Sequence, residues 1–141
     1  MGHMFYNTIK SETFPAIVHV FIGEMEEVMD SKKWKSLTQH NDKYAPEETK
    51  FFSKIGGLTV KCLDILGTET NQFILWFHPE CIKPSFIAHE ILHLTYAVMS
   101  NCNVGDEEAW CYFNAYTTEK MYESVNDSEY EIVMPSKKKK R

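Results

Sequence analysis

Two histidines and one glutamate stand together in the segment Ala88-His89-Glu90-Ile91-Leu92-His93, which follows the H-E-x-x-H pattern. In a helix, residues four apart lie on one face, so His89 and His93 can present two imidazole nitrogens to a single cation. Two such nitrogens suit zinc. Glu90 lies about 100° around the helix from His89, beside the cation but not bound to it, where its carboxylate can take a proton from metal-bound water.

The residues around this pattern are mostly apolar, which predicts that the helix is buried and that the two histidines lie in a protected cleft. The apolar neighbours are Phe86, Ile87, Ile91, Leu92 and Leu94.

A catalytic zinc site needs a third protein ligand and an open position for water. The candidates are consecutive acids, Asp106, Glu107 and Glu108, at the start of the next predicted helix. Glu108 shares its helical face with small or apolar residues that can pack against the first helix, whereas Glu107 shares a wetter face. Asp106 is better suited to capping the helix. We predict Glu108 as the ligand, with Glu107 as the alternative.

With these residues in place, the chain resembles zinc metallopeptidases of the gluzincin type, in which an H-E-x-x-H helix is followed by a second helix carrying an E-x-x-A segment. Glu108-Ala109-Trp110-Cys111 matches that segment, with cysteine at the small position. The chain looks most like short metallopeptidases of phage and prophage type, where an aromatic strand and a Pro/Ser turn precede the motif, as Phe73 to Phe77 and Pro84-Ser85 do here. The resemblance covers roughly residues 72–122, and only the H-E-x-x-H part is highly specific.

The resemblance implies a hydrolase in which His89, His93 and Glu108 bind Zn²⁺ and Glu90 is the catalytic general base. Zinc-bound water would attack a peptide carbonyl, and Glu90 would pass the proton to the leaving amine. Many gluzincins have Asp or Asn after the E-x-x-A segment, and this chain has Tyr112. The residue that orients the ligand histidines is therefore left open.

The substrate implied is a peptide or protein, but no substrate-binding residue is assigned. The strand predicted over Gln72 to His78 is expected to form the rim of the cleft and, if it is an edge strand, to pair with an extended peptide. His78 at its end is interpreted as a loop residue. Three tyrosines are candidate oxyanion donors and equally candidate core residues: Tyr96, Tyr112 and Tyr116.

Two alternatives use the same motif differently. One is a structural zinc module in which His89 and His93 join Cys102 and Cys111 in a closed tetrahedron, although the cysteines lack the usual C-x-x-C knuckle. The other is a metal-free interaction protein with a peptidase-like fold and an idle motif. Glu90 weakly favours catalysis, because a structural site has no use for that carboxylate.

The elements that must position these residues follow from hydrophobic periodicity and turn residues. Ser85 and Asp106 are predicted to cap the two late helices. The predicted elements are a strand over 14–22, a helix over 24–37, a loop over 38–54, strands over 58–66 and 72–78 forming an antiparallel hairpin, and helices over 85–100 and 107–124. This order predicts an α+β domain with an antiparallel or mixed sheet of about three strands packed against helices, a minimal zincin-like core.

The chain has 141 residues, 43% of them hydrophobic and 25% charged, which fits one domain able to bury a core without metal or disulfides. We assign residues 1–4 to a tag remnant, 5–125 to the domain and 126–141 to a flexible tail. The net charge is −5, and five positive charges lie in Lys137 to Arg141, so the rest of the chain carries −10. An acidic body argues against nucleic-acid binding by the folded part.

Localisation is predicted from the cysteines and from hydropathy. No apolar run approaches the length of a membrane helix, so no membrane association is expected. Four cysteines without a C-x-x-C pair or a signal peptide predict free thiols in a cytoplasmic protein. These are Cys62, Cys81, Cys102 and Cys111. The sequence does not indicate an oligomeric state.

Overall fold

A four-stranded mixed sheet lies at the centre of the computed structural model, which describes residues 3–41, 43 and 55–134. The strands lie side by side in the order β1-β2-β4-β3, where β1 and β2 pair antiparallel, β2 and β4 parallel, and β4 and β3 antiparallel. Their bounds are β1 Phe5–Lys10, β2 Ile17–Ile22, β3 Gly57–Leu63 and β4 Glu69–Phe77.

Helices cover both faces of this sheet. Two short helices pack on one face of the sheet, and two long helices pack on the other. Their bounds are α1 Met25–Asp30, α2 Lys32–Thr38, α3 Pro84–Asn101 and α4 Glu107–Asp127, and a 3-10 turn, Pro79–Cys81, precedes α3. None of the helices in the described part of the chain is both long and apolar enough to cross a membrane.

The second half of strand β4, Phe73 to Phe77, is buried on both of its faces. Phe73, Leu75 and Phe77 pack toward the long helices, whereas Ile74 and Trp76 pack toward α1 and α2. A strand buried on both faces is expected to read as a continuous apolar run, which is what this segment does. The condition for peptide pairing with this strand, that it is an edge strand, is not met, because β2 and β3 flank it.

The α+β class and the mixed sheet are confirmed, and the sheet has four strands where about three were expected. The additional strand is β1, whose sequence carries a weak pattern because Ile9 is its one buried residue. The hairpin of β3 and β4 is confirmed. The helix predicted over 24–37 is wrong as one element, because Ser31 has extended backbone angles and its hydroxyl caps α2 by accepting from the Trp34 N–H.

One of the two predicted helix caps is confirmed and the other is wrong. Asp106 caps α4 as predicted, its carboxylate accepting from the Glu108 N–H at 2.9 Å. Ser85 is not a cap, because α3 begins one residue earlier with Pro84, whose fixed φ suits the first helical position. Lys83 occupies the cap position without a side-chain hydrogen bond.

The C-terminal end of the described chain is more structured than predicted. Helix α4 continues to Asp127, so the domain boundary predicted at residue 125 falls inside it. Beyond the helix, the Val133 N–H donates to the Ile82 carbonyl at 2.8 Å. The basic run predicted to be a flexible tail and residues 44–54 of the predicted loop lie outside the described residues.

We predict that the free energy of unfolding decreases as pH falls through the range in which His19 is protonated. This side chain is only 4% exposed, and it sits between the Tyr6 hydroxyl, 2.6 Å from Nδ1, and the Gln72 side-chain oxygen, 2.8 Å from Nε2. The Gln72 oxygen requires the proton on Nε2, so the neutral ring satisfies both partners. Burial lowers the pKa of His19 below its usual value of 6.5.

As pH falls, His19 is protonated in the unfolded chain before it is protonated in the folded protein. The free energy of unfolding should therefore be highest above about pH 6.5 and decrease below it, by at most about 1.4 kcal/mol per pH unit, until the lower folded pKa is reached. Urea unfolding of the wild type and of His19→Gln between pH 8 and pH 5 measures this. The two curves of unfolding free energy against pH should diverge below pH 6.5, and parallel curves would contradict the assignment.

Candidate metal centre

Helix α3 presents the H-E-x-x-H residues between a buried face and solvent. Ile87, Ile91 and Leu94 are buried against the sheet, as their spacing predicts for one face of a helix. The two histidines lie on the open side, and the His89 side chain is 67% exposed. The prediction of a protected cleft around both histidines is therefore wrong, because the apolar residues cover only one side of the helix.

The two imidazoles contact each other through their Nε2 atoms, within hydrogen-bond distance. The Nε2 atoms of His89 and His93 are 3.1 Å apart, and the ring planes meet at 79°. Two nitrogens bound to one tetrahedral zinc at 2.0–2.1 Å would be separated by about 3.3 Å. The pair therefore fits two positions around a zinc ion with little change of either side chain.

Glu90 lies on the protected side of the same turn of helix. Its side chain is 13% exposed, and its Oε1 accepts a hydrogen bond from the Thr59 hydroxyl at 2.8 Å. The same hydroxyl lies 3.0 Å from the Glu90 backbone carbonyl. The second carboxylate oxygen, Oε2, is 4.0 Å from His89 Nε2. Glu90 thus lies beside the histidine pair and is held from the sheet side.

A groove of about 330 Å³ separates β3 from α3 at this point. It is lined by Gly57, Leu58, Thr59, Lys61, Glu90, His93 and Ala97. A Cβ at Gly57 would lie 3.2 Å from Glu90 Cγ and 3.3 Å from Phe77 Cδ1, so glycine provides the room in which the Glu90 side chain lies. The Lys61 ammonium is paired with Glu69 at 2.8 Å.

Helix α4 places Glu108 away from the histidine pair. The Tyr96 and Trp110 rings contact at 4.9 Å, and the Asn114 amide donates to the Thr95 hydroxyl at 3.2 Å. These contacts set the first turns of α4 beside the last turns of α3. Glu108 is six residues before Asn114, about 9 Å further along the helix and away from His93.

Glu108 is exposed and lines a different cavity, of about 500 Å³, next to the connection between β1 and β2. Glu107, the alternative ligand, is exposed in the same turn. The structure does not bring either glutamate to His89 and His93. In the part of the chain that it describes, no three His, Cys, Asp or Glu side chains are arranged to hold one metal ion.

The arrangement required by a structural zinc module is also absent from the described residues. Cys102 follows α3, nine residues after His93, which is about 13 Å along the same rigid helix. Cys111 is exposed on α4, and all four cysteines are free, as predicted. His78 is a loop residue, as interpreted, since it caps the 3-10 turn and contacts Glu24.

Thr59 is the site residue that the sequence did not indicate. It lies on a strand whose outward and inward residues alternate, and nothing in its neighbours marks it as different from Thr68 or Thr70. Its role depends on the packing of β3 against α3, which no local pattern encodes. The candidate oxyanion donors Tyr96 and Tyr112 are largely exposed, whereas the Tyr116 hydroxyl donates to the Lys10 carbonyl.

Prediction from the metal pair: zinc binding requires both histidines but not the glutamates of α4. His89→Ala and His93→Ala should each lose zinc after dialysis, because a ligand is removed. Glu108→Gln and Glu107→Gln should both retain it. Elemental analysis of the purified proteins measures the zinc content. Loss of zinc in Glu108→Gln alone, with an unchanged circular dichroism spectrum, would mean that Glu108 reaches the pair.

Comparison with known proteins does not assign the chain to a family. No protein-family model, no curated protein and no solved structure matches the chain.

Proposed function

We propose that this protein is a zinc-dependent hydrolase of peptide bonds, in which His89 and His93 bind the metal and Glu90 is the general base. The observation that carries the proposal is the position of the Glu90 carboxylate. Thr59 orients it, and its Oε2 lies 4.0 Å from His89 Nε2, which is itself 3.1 Å from His93 Nε2. A zinc ion held there would act as a Lewis acid, polarising the carbonyl and making a water molecule nucleophilic near neutral pH.

Glu90 has one oxygen available for proton transfer. Thr59 occupies Oε1, so Oε2 is the atom that accepts the proton from the attacking water and returns it to the leaving amine. A general base must lie within reach of the reacting water without being consumed as a metal ligand. The distance of Oε2 from His89 Nε2 is compatible with that role.

Among the described strands β3 is at an edge of the sheet, beside the site, and this position favours an extended peptide as substrate. The Gly56 carbonyl accepts from the His78 N–H, so in the alternating antiparallel ladder the main-chain groups of Gly57, Thr59 and Lys61 point away from β4. The Lys61 carbonyl accepts from the Asn41 amide, which agrees with this direction. A peptide that adds to β3 would pass Glu90. We propose β3 and α3 as a minimal zincin-like core.

The strand that rims the site in this proposal is β3, in place of the segment 72–78 predicted from the sequence. A closed site with Cys102 and Cys111 finds no support in the described contacts, because one helix separates Cys102 from His93. An idle motif in an interaction protein has the same static geometry, so metal content and cleavage must separate it from an enzyme.

Prediction from the proposed chemistry: Glu90→Gln retains zinc but loses cleavage. The amide cannot accept the proton, so hydrolysis of a quenched fluorescent peptide library should fall by at least about 100-fold. Zinc content should match the wild type because no ligand changes. Glu107→Gln, an acid removed from the exposed first turn of α4, is the matched control and should cleave normally.

The double variant Cys102→Ser/Cys111→Ser separates the alternatives. In the proposed enzyme it retains both zinc and cleavage. Zinc loss in this variant would favour the structural module. A wild-type protein that binds no zinc after refolding with excess metal would favour the interaction protein.

A further inference from the structure

We propose that Thr59 is a positioning residue that keeps the Glu90 carboxylate in the role of a base and prevents it from becoming a ligand of the cation. The inference rests on the proposed zinc site of His89 and His93. It assigns to the edge strand a specific chemical task beyond the binding of substrate.

The Thr59 hydroxyl has two acceptors of Glu90 within hydrogen-bond distance. The threonine Oγ1 is 2.8 Å from the carboxylate Oε1 and 3.0 Å from the backbone carbonyl of the same residue. The hydroxyl has one hydrogen, which the two acceptors share or receive in turn, and either bond connects Glu90 to β3. Thr59 itself lies opposite Leu75 of the buried strand β4.

Among the described residues, Thr59 is the side chain that donates a hydrogen bond to the Glu90 carboxylate. The nearby cation, Lys61, is paired with Glu69 at 2.8 Å. On the other side, Gly57 leaves room around Glu90 Cγ. In Thr59→Val the described residues would supply no side-chain hydrogen bond to hold the carboxylate in place, and the absence of a Cβ at Gly57 leaves it room to rotate.

Rotation of that carboxylate has a chemical consequence because Glu90 directly follows His89 in α3. Carboxylate oxygens bind zinc at about 2.0–2.2 Å, and a carboxylate bound to the metal is no longer free to accept a proton from water. Loss of the hydroxyl should thus strengthen metal binding and weaken catalysis at the same time. A purely structural defect at this position would weaken both.

The test compares Thr59→Val, which keeps the shape but removes the hydroxyl, with Thr59→Ser, which keeps the hydroxyl. Competition with a fluorescent zinc chelator, without substrate, measures the zinc dissociation constant. We expect about 10-fold tighter zinc binding in Thr59→Val, with kcat lowered about 10-fold to 100-fold and KM unchanged. Thr59→Ser should match the wild type in both measurements.

Two further variants identify the cause. In Thr59→Val/Glu90→Gln the tighter binding should disappear, because the charged carboxylate is gone. Thr70→Val removes a hydroxyl that donates to the Cys62 carbonyl elsewhere on the hairpin, and it should change neither quantity. Circular dichroism and thermal unfolding verify that each variant is folded.

Unchanged or weaker zinc binding in folded Thr59→Val would overturn the inference, as would tighter binding that persists in the double variant. If the wild type binds zinc but cleaves no peptide, the proposed peptidase function fails, while the chelator measurement still decides the role of Thr59. A wild type that binds no zinc would overturn both.

Discussion

Burial of β4 on both of its faces is the constraint on which the rest of the structure depends. Its alternating residues enter two separate cores, so helices must cover both sides of the sheet and strands must flank it on both edges. Strand β3 is thereby placed at an edge, with one face toward α3. The contact of Thr59 with Glu90 exists because this edge and the motif helix pack against the same interior strand.

Much of this fold could be predicted from local sequence. The hairpin, the long α3 and α4 helices and the Asp106 cap follow from periodicity and turn chemistry, which act within a few residues. The apolar run of β4 also carried the information that it is an interior strand. Strand β1 and the parallel pairing of β2 with β4 could not be predicted in this way, since they depend on contacts between distant segments.

The same division applies to the candidate site. The four-residue spacing of His89 and His93 is sufficient to bring their nitrogens together, because a helix fixes that geometry locally. Glu108 was chosen from the faces of the predicted helix. A helical face specifies the direction of a side chain around the helix axis, but not its position along that axis relative to the neighbouring helix. The axial position of α4 relative to α3 is set by the loop over 102–106 and by the contact of Tyr96 with Trp110. The length of α3 also separates Cys102 from His93. This separation could have been predicted from the sequence, because the predicted helix already extended to residue 100.

The exposure of His89 has a consequence for the dielectric environment of the proposed chemistry. Charges at this surface are screened by solvent, and the electrostatic interactions that stabilise a transition state are weak in water. The residues that the structure describes do not exclude water from the histidine pair, so the substrate itself would have to displace it. A polypeptide long enough to cover the groove would create a less polar site than a dipeptide, and the rate of hydrolysis would then depend on substrate length as well as on sequence.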